Sequence, residues 1–311
     1  MTLSAKTDLI LHHYDFSNYS EKARLVLGYK GLTWRSVIIP PVTPKPDLTP
    51  LTGGYRRTPV LQIGADVYCD TSLILRELER RQPEPTLYPE GHTALAAAIA
   101  YWAEHQLFRP MSLYVSGNNL DLLPPDLQAD RSRMRGLPVP SEATVKRAAA
   151  RNAPAVRVQI PRVEEMLADG RDWIAGPLVS VADLTVYHAL WFLTARSERL
   201  AHELAPYPCI RAWMARVRAF GHGARGEMTP AEALRVAAGS EPLSPRPSEP
   251  FPEDPALGTT VRIRADDYAR DPMEGELVLI DAEEIAIRRN DPQVGGIVVH
   301  VPRLGFDLRP V

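Results

Sequence analysis

Apolar residues fall in short dense runs over the first part of the chain, recur at helical spacing through its middle, and return to short runs at its end. Residues 8–13 (DLILHH) read as a strand, and residues 18–30 (NYSEKARLVLGYK) read as a helix closing at Gly31. Strands follow at 33–39, 59–63 and 66–69, and then a helix at 71–81 (TSLILRELERR). The order β-α-β and then β-β-α predicts an α/β domain over 1–85.

From about residue 92 the apolar period becomes that of helices. ALAAAIAYWAEHQLF, VRVQIPRVEEMLADG, VADLTVYHALWFLTA, CIRAWMARVRAF and PAEALRVAAG each carry an i, i+3, i+4 face. These predict an all-helical domain over 90–240. Residues 241–255 (EPLSPRPSEPFPEDP) hold six prolines, a density that no helix or central strand tolerates, and read as an extended linker. Over 256–311, TTVRIRA, GELVLI, EIAIRR, GGIVVHV and GFDLRPV are β-branched runs bounded by Gly, Pro and Asp. They predict a small β-rich domain.

Composition narrows the function classes. The chain has 311 residues, 45% hydrophobic and 24% charged, as expected of a folded globular chain. Its net charge of −2 lacks the basic excess of a nucleic-acid binder. No apolar run approaches the ~20 residues of a membrane span, and the start of the sequence shows no secretory leader. The two cysteines, Cys69 and Cys209, make neither a disulfide framework nor a metal-ligand pattern; both read as core residues, and a reducing cytoplasm is the expected compartment. His12 and His13 face opposite ways on a strand and do not read as a metal site.

Four short segments carry candidate chemistry. In Asp15-Phe16-Ser17-Asn18-Tyr19-Ser20, a strand hands over to a helix. A serine there either caps the helix or, with the unpaired N–H groups and the helix dipole, stabilises an anion such as a ligand thiolate. In Arg56-Arg57-Thr58-Pro59-Val60-Leu61 a proline opens a strand, which reads as a rigid turn or an edge. In Tyr68-Cys69-Asp70-Thr71-Ser72 the polar residues either cap the next helix or meet a ligand's amine and carboxylate. Ser180-Val181-Ala182-Asp183 has the capping-box form with Asp in place of Glu, a structural signal for a buried helix.

Together these segments resemble the glutathione transferase superfamily. The resemblance spans 8–82 as a thioredoxin-like domain and 92–220 as the helical domain. Ser17-x-Tyr19-Ser20-x-Lys22-x-Arg24 is similar to the active-site helix start of the serine and cysteine classes, such as zeta and omega. Thr58-Pro59-Val60-Leu61 matches the turn that carries a cis-proline in that family, and Asp70-Thr71 the pair that grips the γ-glutamyl end of glutathione. Ala168-Asp169-Gly170-Arg171 and Ser180-x-x-Asp183 match the helical-domain signature.

The resemblance implies that Ser17 donates a hydrogen bond to the glutathione sulfur. It implies that Asn18, Thr58, Pro59, Asp70 and Thr71 line the glutathione site, with Arg56 or Arg57 near the glycyl carboxylate. Tyr14 is the competing thiol activator, since other classes use a tyrosine at the end of the first strand. Asn18 stands where many relatives have proline, Thr58 where valine is commoner, and Asp70-Thr71 where Glu-Ser is usual. The resemblance further implies a homodimer with glutathione as co-substrate, a small electrophile as second substrate, and detoxification chemistry.

Two features exceed that plan. Residues 131–162 hold seven Arg and one Lys against one Glu, a net +7, and residues 245–311 hold 13 acidic and 8 basic residues, a net −5. The basic stretch reads as a solvated face or as a rim that draws in anionic ligands. The charge blocks also suggest that the tail docks on the helical domain. Two functions follow: a cytoplasmic glutathione transferase, or a GST-like module that binds glutathione, another small molecule or a protein without turnover.

Overall fold

The computed structural model describes residues 8–311. Residues 1–7, part of the 1–15 stretch that does not read as a secretory leader, lie outside the described residues. In the first domain β1 (Leu9–His13), α1 (Asn18–Tyr29) and β2 (Thr33–Ile38) form a parallel β-α-β unit, joined by a short α2 (Thr49–Thr52) to β3 (Val60–Ile63), β4 (Asp66–Cys69) and α3 (Thr71–Arg81). β3 is antiparallel to both β1 and β4.

Alternation along these strands builds two cores. Leu9, Leu11, Leu61, Ile63 and Tyr68 face α1, α3 and the helical domain. Ile10, Val60, Val67 and Cys69 face the other way. A strand buried on both faces needs apolar residues at successive positions, which is why DLILHH and PVLQI read as continuous runs.

The helical domain contains α4 (Thr93–Trp102), one π-helical turn (Ala103–Leu107), α5 (Phe108–Asn118), α6 (Pro125–Met134), α7 (Glu142–Leu167), α8 (Val181–Trp191) and α9 (Pro208–Arg218). The buried α8 is fixed at its start by Asp183. One oxygen of that carboxylate accepts from Ile174 N (2.8 Å) and Trp213 Nε1 (2.9 Å); the other accepts from Ser180 N (2.9 Å) and Ser180 Oγ (3.1 Å). α1 meets this domain closely at Gly28: a Cβ there would lie 2.0 Å from the Gly221 carbonyl oxygen.

Two elements depart from the all-helical reading of 90–240. Residues Ala224–Glu227 form a strand, β5, parallel to β2 at the edge of the sheet. The helix α10 (Pro230–Ala238) buries Ala233 and Ala237 in the second core, against the sheet, not in the helical domain.

The tail forms β6 (Thr260–Ala265), β7 (Met273–Ile280), β8 (Glu284–Asp291), β9 (Gly295–Pro302) and β10 (Phe306–Pro310). This strand-rich region does not stand apart. β9 pairs parallel with β4, Asp66 opposite Val298 and Tyr68 opposite His300. One ten-stranded sheet results, in the order β10-β6-β7-β8-β9-β4-β3-β1-β2-β5. The tail therefore docks chiefly on the first domain, through the β4–β9 pairing. Its carboxylates pair with arginines of α3 and of the tail itself (Glu284 with Arg80 and Arg246, Asp307 with Arg264 and Arg270). Among the described residues no ion pair joins the tail to the basic 131–162 segment.

At the β4–β9 seam, His300 is held between Glu284 (2.6 Å) and Asp66 (3.1 Å) and stacks on Tyr68 at 4.4 Å. Burial alone would lower the His300 pKa, but the hydrogen bonds to Asp66 and Glu284 outweigh it and raise it. Against its own burial, the His300 and arginine contacts hold Glu284 down to about 2.

Candidate active site

The ends of β1 and β4 and the start of β3 share one edge of the sheet. Val60 is paired with His12 on one side and Cys69 on the other. Pro59 therefore sits between the end of β1 and the start of α3, and the turn from β1 into α1 brings Ser17 to the same edge. The Thr58–Pro59 peptide is cis.

Ser17 is the buried N-cap of α1, and its Oγ accepts the Ser20 N–H at 3.2 Å. Capping uses the hydroxyl as an acceptor, so its own hydrogen remains to be given to another partner. The two readings of Ser17, cap and anion donor, are thus compatible in one rotamer. Among the described residues the Ser20 hydroxyl, buried beside it, has no partner.

Asn18 faces inward. Its amide nitrogen lies 2.8 Å from His188 Nδ1, and His188 Nε2 lies 3.2 Å from Glu104 Oε1. Burial pushes the His188 pKa down, so the ring is neutral, accepting at Nδ1 and donating from Nε2. Lys22 donates to the same Glu104 oxygen at 2.6 Å. Against its burial, Lys22 and His188 hold the Glu104 carboxyl well below the usual carboxylate range. Glu104 stands in the π-helical turn, a local irregularity of the kind found at sites with a special role. This network ties the start of α1 to the helical domain.

Asp70 caps α3 with φ 77°, a left-handed conformation uncommon for a non-glycine residue. Backbone held there by its surroundings concentrates at functional sites. Its Oδ1 accepts from Ser72 N (2.9 Å) and Ser72 Oγ (2.7 Å). Among the described residues Oδ2 takes no donor and is free for a cation. Thr71, buried, opens the helix.

The arginines are engaged. Arg56 donates to Asp130 and, at 3.1 Å, to Thr43 Oγ1. Arg57 donates to the Asp267 carboxylate and the Tyr268 carbonyl of the tail, and its guanidinium lies 3.9 Å from the Tyr268 ring centre. Tyr14 turns its hydroxyl to Arg131, which donates to it at 2.9 Å.

Five residues escaped the sequence reading. Lys45 donates to the Arg56 carbonyl and to Thr58 Oγ1, both at 3.0 Å. Burial, with Arg131 and Arg56 nearby, pulls its pKa to about 7. His188, Glu104 and the tail residues at Arg57 are the others. A lysine isolated among prolines in 40–50 was the one available signal; the rest depend on contacts between distant segments. Cys69 is buried, and its burial raises the thiol pKa; Cys209 is half-buried and its pKa is raised by the hydrogen bond to Glu164. His12 bonds Gln62 at 2.8 Å, and His13 bonds Ser36 at 3.0 Å.

Comparison with known proteins gives a consistent likeness. Residues 11–86 match the family description "Glutathione S-transferase, N-terminal domain" and residues 132–219 the corresponding C-terminal domain. A GST-like protein from Pseudomonas syringae is 38% identical, with a TM-score of 0.79, over 98% of this chain and 100% of that one. A glutathione S-transferase from Rhodospirillum rubrum is 21% identical, with a TM-score of 0.52, over 68% of this chain and 88% of that one. One from Methylobacterium radiotolerans, solved with glutathione sulfonate, is 21% identical, with a TM-score of 0.52, over 72% and 98%. The latter two likenesses are of fold alone. No curated protein matches.

Proposed function

This chain belongs to the glutathione S-transferase family, and from that premise we propose that it binds glutathione at the shared sheet edge and activates its thiol for attack on a small electrophile. The observation that carries this reading is the Ser17 hydroxyl. It is buried at the positive end of α1, and its hydrogen is left over by the capping bond from Ser20. Pointed at the sulfur, it favours the thiolate. A hydrogen bond to a charged group contributes about 1.5–3 kcal/mol, equivalent to roughly one to two pKa units. The helix start adds a few tenths.

The remaining roles follow the same edge. The backbone at Thr58, before Pro59, pairs with the cysteinyl unit as an added strand would. Asp70 Oδ2 takes the γ-glutamyl ammonium, and Thr71 with the first N–H groups of α3 takes its carboxylate. Asn18, held by His188, fixes the approach of α1. Arg57 lies at the far end, near where the glycine would reach. We place the protein in the cytoplasm and as a homodimer on the strength of family habit.

Calorimetric titration with reduced glutathione tests the reading. Micromolar-to-millimolar binding that weakens about tenfold or more in Asp70→Ala is expected, from losing a charged hydrogen bond. No heat, and no thermal stabilisation at about 10 mM ligand, would refute it.

A further inference from the structure

The turn between β6 and β7, residues 266–272, reaches back across the site edge from the tail. It is tied at both sides. Arg57 bonds the Asp267 carboxylate and the Tyr268 carbonyl and stacks on the Tyr268 ring. On the helical side the Ala269 N–H donates to the Met134 carbonyl at the end of α6, at 2.6 Å. Ala269 adopts φ 47°, a conformation alanine rarely takes and which these anchors enforce. The loop thus bridges the two domains.

Resting on the glutathione reading above, we propose that this loop sets which thiols the groove accepts: Asp267 supplies in cis the carboxylate that Arg57 would otherwise take from a peptide ligand. The groove then recognises a γ-glutamyl-cysteinyl thiol and is indifferent to a carboxylate at the ligand's far end.

The neighbouring cations support this. Arg56 and Arg131 share the one buried carboxylate of Asp130, 2.9 Å from Arg131, and Arg131 also donates to the Tyr14 hydroxyl. Lys45 is spent on a carbonyl and a hydroxyl. Each cation named at that flank has an internal hydrogen-bond acceptor, and among them Arg57 is the one paired with an exposed carboxylate. Asp267 is the exposed member of its pair, 53% against 13% for Arg57, so it is the carboxylate that exchange would displace. Planar guanidinium–carboxylate pairing is specific in geometry, which makes the substitution of one carboxylate for another chemically close.

The test is calorimetry on the full-length protein and Asp267→Asn, each with reduced glutathione and with its glycyl ethyl ester. The wild type should bind both ligands within about twofold. Asp267→Asn should bind glutathione about fivefold or more tightly than the wild type, with the ester unchanged, as expected for freeing one half-exposed ion pair. A wild type that already prefers the acid about tenfold, or an Asp267→Asn that shifts both ligands equally, overturns the proposal while leaving glutathione binding intact. Failure of both proteins to bind either ligand overturns the glutathione reading and this one with it.

Discussion

Replacing Ser17 separates two jobs done by one oxygen. As an acceptor it caps α1 through Ser20 N at 3.2 Å. As a donor it is proposed to hold the thiolate. Loss of an N-cap serine costs about 0.5–2 kcal/mol when alanine replaces it but only a few tenths when glycine does. Loss of the donor removes about 1.5–3 kcal/mol of preference for the charged sulfur. Ser17→Ala and Ser17→Gly should therefore differ in stability by about 1 kcal/mol yet raise the pKa of bound glutathione alike, by roughly one to two units. Urea unfolding measures the first quantity. Ultraviolet absorbance of the thiolate, followed against pH at saturating glutathione, measures the second. An unchanged bound-thiol pKa in both variants would refute the role of Ser17, and would direct attention to Tyr14. A pKa effect that tracks the stability loss would make Ser17 a cap alone.

Asp183→Ala strips four donors of their shared buried acceptor, and should cost about 3 kcal/mol or more, since each buried donor left unsatisfied costs about 1–3 kcal/mol; a loss under about 1 kcal/mol in urea unfolding would contradict it. His300 gives the protein an alkaline limb. Its folded pKa is raised, so its contribution is whole below the unfolded value of about 6.5 and is lost as pH rises through the folded value. Glu284 acts in the opposite direction: its folded pKa is depressed to about 2, so its contribution is present above its unfolded value and lost as pH falls toward that figure. Because buried His188 and Lys45 have lowered folded pKa values and act in the opposite sense, the test is the difference between proteins: the stability advantage of the wild type over His300→Gln in thermal melts should shrink as pH rises from about 6, and a difference independent of pH would remove the histidine from the account.

Local chemistry was legible in the sequence, and partnership across the chain was not. The helix at 71–81 and the strands at 66–69 and 8–13 come from period and caps alone, because each buries a face that its own residues announce. The same holds for Ser17 and Asp70, whose capping geometry is a property of a few neighbouring residues. α7 defeats local reasoning in an instructive way. It runs from Glu142 to Leu167 through Pro154 and Pro161, residues that would break an isolated helix. Its packing on α5 is close enough that a Cβ on Gly117 would lie 2.4 Å from the Ala149 Cβ, and such burial outweighs propensity.

β5 shows the converse. Ala-Arg-Gly-Glu carries no β-branched signal, yet β2 offers an unpaired edge and the chain takes it. The parallel joint of β9 to β4 is of the same kind. Nothing in GGIVVHV specifies which strand it meets, and the pairing follows from the open edge of β4 together with the seam residues Asp66 and His300. The consequence reaches the site. Only because β9 locks the tail onto β4 can the β6–β7 turn arrive at Arg57, 210 residues away in sequence. The tail's charge surplus pointed to docking by ion pairs with the helical domain, whereas its acids pair with arginines of the first domain and of the tail itself. What the sequence left as an appended sheet is therefore continuous with the sheet of the first domain, and its contacts with Arg57 join residues that no local pattern could mark as partners.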